Sequence, residues 1–271
     1  MLFLLPPSET KLDGGSGMSG LDLASLSFPQ LSDVRRDVTD RLLALSSDRE
    51  AMMSGLKLGP RLADEVDRNR TVESSPTMPA LARYTGVLFD PVGVDELDEQ
   101  GWRWAHQHIA VHSALFGLVR AGDPIPAYRL SHDSRLPAGS LRSTWSASVS
   151  SVLAEVVESG EFVVDLRSEG YVLLGPTPHP GSVFVRVVSD ASGRRRALNH
   201  FNKKSKGLLV RRLLRDRPEL AGLDDLLAWA RRAGIVLEPS AEGELVLVSE
   251  SLLGASGLGA PDQTTGTGPI R

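Results

Sequence analysis

Between residues 162 and 248 the chain alternates short apolar runs, rich in β-branched residues, with longer amphipathic stretches, and this alternation restricts the folds open to it. Strands are expected over 162–166, 171–174, 183–188, 197–201, 236–237 and 244–248, and helices over 144–158, 203–214 and 223–232. Earlier in the chain, the apolar opening 1–5 stops at Pro6-Pro7 and predicts a short buried strand. Ser32 suits an N-cap, and Val34, Val38, Leu42, Leu43 and Leu45 recur near the helical period through Ser46. Further helices are expected over 48–56 and 94–119, with 61–79 as a surface excursion. Strands and helices in this order indicate an α/β (or α+β) fold, a single compact mixed-sheet domain with surrounding helices.

With 271 residues, 41% of them hydrophobic, the chain can bury one substantial core. We assign that core to 1–250. Residues 251–271 are rich in Gly, Ser and Thr with little to bury, so a disordered tail is expected there. The absence of cysteine excludes disulfides, Cys-ligated metal centres and thiol catalysis. No window approaches the roughly 20 apolar residues of a membrane span, so no membrane partner is expected and a cytoplasmic location is.

Charge is segregated. From Arg194 to Arg217 ten Lys or Arg residues face one acid, Asp216, a local +9 in a protein of net charge −4. Such a cluster attracts anionic ligands. Its motif Asn202-Lys203-Lys204-Ser205-Lys206-Gly207 falls where a strand is expected to hand over to a helix, a junction whose amides favour anions.

Other constellations are less pointed. Gly14-Gly15-Ser16-Gly17 follows neither nucleotide-binding glycine spacing. His106, His108 and His112 fall on one expected helix, but the sequence lacks the glutamate and third carboxylate of a helical zinc motif, and neither a metal nor a cofactor is expected. Gly117, in the apolar turn between Ser113 and Arg120, would permit close approach of a helix or of a phosphate. Tyr128-Arg129 offers a hydroxyl beside a bidentate anion clamp. Asp165 to Tyr171 places polar groups where a strand's carboxyl end would expose them.

Taken in order, several segments resemble the YaaA peroxide-stress-response family. They are Ser8 to Lys11 after the first strand, Tyr84-Thr85-Gly86, His108, Leu115 to Arg120, Tyr128-Arg129-Leu130, Trp145, Asp165-Leu166 with Ser168 and Tyr171, Lys203 with Lys206-Gly207, and Gly243-Glu244-Leu245. The resemblance covers about 1–250. Two departures mark a divergent branch: the family's Asn-Leu-Ala-Ser-x-Glu-Tyr is here Asp165-Leu166-Arg167-Ser168-Glu169-Gly170-Tyr171, and its Ala-Lys-x-x-Arg-Gly is Asn202 to Gly207.

The resemblance implies a cytoplasmic protein that limits iron-driven damage under peroxide stress and binds DNA through a helix-hairpin-helix element. On that reading Ser113, Gly117 and Arg120 form the hairpin side, and Lys203, Lys204, Lys206, Gly207, Arg211 and Arg212 extend a sequence-tolerant contact with duplex DNA. The alternative is an enzyme. Ser8, Lys11, Tyr84, Thr85, Gly86, Tyr128, Arg129, Ser168, Tyr171, Lys203 and Lys206 would then line one cleft for a small carboxylate or phosphate. Convergence of these residues in a pocket, as against their spread over a convex face, separates the two.

Overall fold

The computed structural model describes residues 1–15, 20–189, 196–197 and 199–255. Eight strands form its main sheet: β1 (Leu2–Leu5), β2 (Ile109–Ser113), β3 (Gly117–Arg120), β4 (Val163–Asp165), β5 (Ser182–Ser189), β6 (Arg196–Ala197), β7 (Leu237–Pro239) and β8 (Glu244–Val248). Across the sheet they run β7-β8-β5-β4-β1-β2-β3, with β6 added to β5. The five inner strands are parallel, and β3, β6 and β7 are antiparallel additions.

β1 occupies the centre because its side chains are apolar in both directions. All four of its residues are fully buried, as a parallel strand covered on both faces requires. Leu4 pairs with Ala110 of β2 on one side and with Asp165 of β4 on the other. From β1 the chain builds outward through β2 and β3, then returns to β1's other flank to build β4, β5 and β8. The strand order therefore reverses between β1 and β4, and a crevice opens at their carboxyl ends.

The helix expected over 94–119 is corrected. A helix spans Glu99–His108, capped by Asp98, whose carboxylate accepts from the Gly101 amide at 2.6 Å. The chain then turns into β2, whose five residues are all buried. A strand buried on both faces loses its alternation and imitates a buried helix in sequence. The expected helix-hairpin-helix element is likewise a β-hairpin here, with Ser113 opposite Gly117. Its turn is pinned from within: Arg35, fully buried, donates to the carbonyls of Phe116 (2.8 Å) and Leu118 (2.6 Å), and Trp145 donates to that of Ala114 (2.9 Å).

Two further readings change. Residues 171–174 do not form a strand, since Glu169–Val172 is a helical turn. The 203–214 helix begins earlier and runs Asn199–Asp216, so the Asn202 to Gly207 motif lies inside it and not at a strand-to-helix junction. Gly207 is required there by packing, because a Cβ would stand 2.0 Å from the Leu88 carbonyl oxygen. The expected loss of structure from Ser251 is also revised, because the last described helix spans Ser249–Ala255 with Leu252 buried. Residues 256–271 lie outside the described residues. No helix among those described is long and apolar enough to cross a membrane.

Candidate functional site

A cleft of about 780 Å³ occupies the crevice. One wall is the loop after β1, from Pro6 to Thr10, and another is the segment Leu166 to Tyr171 after β4. Phe184 to Val188 of β5, Asn202, Lys203 and Lys206 of helix Asn199–Asp216, and Ser131-His132 complete it.

Its floor is a buried ion pair. The Arg167 guanidinium forks onto Asp165, with Nε donating to Oδ1 at 2.9 Å and Nη2 to Oδ2 at 2.6 Å. The remaining donors reach the Gly175 carbonyl (3.0 Å), Thr177 Oγ1 (3.0 Å) and His112 Nδ1 (2.8 Å). Because a guanidinium can only donate, His112 Nδ1 is an acceptor and its ring proton sits on Nε2. Burial, then the adjacent Arg167 charge, hold the His112 pKa well below the usual imidazole range. His112 is therefore a neutral anchor on β2, while His108 accompanies the Met1 carbonyl at 2.9 Å. The expected shared helix face of these histidines does not exist.

Two lysines are desolvated. Lys206, 4% exposed, has its pKa pushed down to about 8, mainly by burial, with Asp165 opposing the shift. Lys11 is pushed down to about 7 by burial and then by Arg129. Lys11 does not line the cleft. Its amine donates to the carbonyls of Ser8 (2.8 Å) and Glu9 (3.3 Å) and lies 4.1 Å from the Tyr128 ring centroid, which fixes the cleft's first wall from behind. Arg129 pairs with Glu9 of the same wall. Thr85 and Gly86 back it too, through hydrogen bonds between Thr10 and Thr85 and the close approach of Gly86 to Ser8 and Thr10.

Burial keeps the phenols protonated. Tyr128 Oη bridges Tyr84 Oη (2.8 Å) and Ser113 Oγ (2.7 Å) in the interior, and burial pushes its pKa up to about 12. Burial also raises Tyr171 well above the ordinary phenol range, and its ring packs between His112 (5.8 Å) and His132 (5.1 Å). His132 comes close because residue 170 is glycine. A Cβ there would stand 2.2 Å from Nε2, so the imidazole occupies space that any side chain at 170 would need.

Of the enzyme set, Ser8, Ser168, Tyr171, Lys203 and Lys206 line the cleft, while Lys11, Tyr84, Thr85, Gly86, Tyr128 and Arg129 support its wall. The DNA set does not assemble into one surface. Ser113 and Gly117 are buried, and the Leu115 and Phe116 amides already donate to Ser113 Oγ. Arg120 sits beside Met1, at the end of β1 opposite the cleft. Arg211, Arg212 and Arg217 pair with Glu96, Asp216 and Asp98, Lys206 and Gly207 are buried, and Lys203 and Lys204 are exposed. The side chains at 194–196 lie outside the described residues. Sequence reasoning missed Phe184, Arg186, His132 and Asn202. Phe184 and Arg186 were visible as alternate residues of one strand, and Asn202 lies one helical turn before Lys206.

The sheet and its crevice define a mixed α/β protein with a polar pocket at a topological switch point. Residues 1–237 match the family described as Peroxide stress protein YaaA, and the chain belongs to that family. A UPF0246 protein of Corynebacterium efficiens is 43% identical over 88% of this chain and 95% of its own length. One from Corynebacterium glutamicum is 40% identical over 92% of this chain and 100% of its own, and one from Streptomyces coelicolor is 36% identical over 89% and 93%.

Proposed function

We propose that the protein serves the peroxide-stress response by binding a small carboxylate- or phosphate-bearing substrate in the crevice and transferring protons on it. The observation that carries this reading is convergence: Ser8, Ser168, Tyr171, Lys203 and Lys206, scattered through the sequence, meet in one cleft at the switch point. Each has a distinct capacity. Lys203 supplies positive charge at the lip, Tyr171 is a phenol kept protonated, and Lys206 has a proton to exchange near neutral pH.

A second reading keeps cytoplasmic, sequence-tolerant DNA binding that limits iron-driven damage. It is favoured by the exposure of Lys203 and Lys204 beside the cleft. Two variants separate the readings, measured by duplex-DNA affinity and by peroxide survival of complemented cells. Tyr171→Phe should leave DNA affinity unchanged and impair protection, since a positioned proton donor contributes roughly 10²- to 10⁴-fold. Lys203→Ala with Lys206→Ala should abolish protection on either reading. Full protection by Tyr171→Phe would defeat the catalytic reading, and full protection by the double variant would defeat both.

A further inference from the structure

The two desolvated lysines differ in what their amines do. Lys11 is engaged by two carbonyls and two tyrosine faces and stands behind the wall. Lys206 lines the cleft, and among the described residues its amine makes one long hydrogen bond, 3.3 Å to the Arg167 carbonyl, with the Phe184 ring centroid 5.4 Å away. An ammonium carries three donors, so a buried one with a single long bond is poorly satisfied. A neutral amine fits better: one N–H serves Arg167 and the lone pair is available. The lowering of its pKa to about 8 agrees with that arrangement. One helical turn earlier on the same wall, the buried Asn202 Oδ1 has no hydrogen-bond partner among the described residues. The cleft thus holds a free nucleophile and an unused acceptor side by side.

We propose that Lys206 is a catalytic nucleophile that forms an imine with a small α-oxo carboxylate bound in the cleft. The proposal rests on the small-anion reading above. Lys203 supplies the cation for the carboxylate at the lip, and the apolar surface of Leu166, Phe184 and Val185 raises the share of uncharged amine at Lys206. In the step, the Nζ lone pair forms a bond to the carbonyl carbon while the C=O π pair moves to oxygen, which takes up the first of the two protons that the amine loses. Asn202 Oδ1 can accept a hydrogen bond from the resulting carbinolamine hydroxyl. That oxygen then leaves as water, taking a second proton that originates on the amine, and the nitrogen pair closes the C=N bond. No electrons enter or leave the site.

The test treats the full-length protein with pyruvate and then borohydride, and maps the reduced adduct by peptide mass spectrometry. A lysine pKa near 8 gives roughly 250-fold more free amine at pH 7 than an ordinary lysine has, so the Lys206 peptide should label at least roughly tenfold above exposed lysines. Lys11 should remain unlabelled. Lys206→Met, which removes the amine but keeps an uncharged stem of similar length, should lose the adduct while its circular-dichroism spectrum stays that of the folded wild type. Labelling spread over surface lysines with no excess at Lys206 overturns the proposal, as does pyruvate binding to the wild type without an adduct, although the latter leaves the small-anion reading standing. If neither pyruvate nor inorganic phosphate binds, the small-anion reading falls and the imine falls with it.

Discussion

Lys11→Met offers a direct measurement of how strongly the fold desolvates that amine. Its folded pKa is about 7, against 10.5 for an unperturbed lysine. Because the unfolded state binds the proton more tightly, stability must rise with pH between those values. Below the folded pKa both states are charged and the full penalty applies; above the unfolded pKa both are neutral and it vanishes. From about pH 7 to about pH 9 the unfolded lysine stays almost fully protonated, while the folded one passes from about half to about one-hundredth, so its contribution to stability rises by about 2 kcal/mol. Urea unfolding of wild type and variant at both pH values yields this as a double difference in which titrating groups not coupled to Lys11, Lys206 among them, cancel. Methionine removes the charge and keeps a flexible apolar stem, so the variant should show a pH dependence shallower by about 2 kcal/mol whatever its absolute stability. Parallel pH dependences would refute the desolvated environment assigned to Lys11.

Two further substitutions probe the frame of the site. Asp165→Asn leaves the fully buried Arg167 guanidinium without its counter-charge and should destabilise the protein by about 3–5 kcal/mol in denaturant unfolding, since breaking a buried pair is far costlier than replacing both members. Gly207→Ala should destabilise by about 1–3 kcal/mol, because displacing the Leu88 carbonyl outweighs the roughly 1 kcal/mol that alanine contributes to a helix interior; a rise in thermal midpoint would contradict the packing described.

What the sequence made readable follows from where local signals agree with the tertiary environment. The 223–232 helix and the 244–248 strand are found as Leu223–Arg232 and Glu244–Val248, because one is amphipathic and the other a dense apolar run bounded by a turn. β2 was unreadable for the opposite reason, being buried on both faces and following a helix without an intervening breaker. The site was half legible. Ser8, Ser168, Tyr171, Lys203 and Lys206 could be picked as polar positions, but the charge count that drew attention to 194–217 misled. Arg211 and Arg217 find acids from residues 96 and 98, far away in sequence, and Lys206 turns inward. Charge density along a chain does not determine charge density on a surface.

The central position of β1 also sets a timetable. Of the sheet's strands it is made first, yet its neighbours follow only after about 110 and 165 residues, through the pairings Leu4–Ala110 and Leu4–Asp165. At roughly 5–20 residues per second of synthesis, Leu2–Leu5 waits, wholly apolar, about 5–22 s for β2 on one edge and about 8–30 s for β4 on the other. During that interval the segment is a ready target for chaperones and a hazard for aggregation. A nascent chain or proteolytic fragment ending before Val163 would possess neither the second wall of the cleft nor the strand that closes β1, so the cleft comes into being only with the long-range pairings of the sheet.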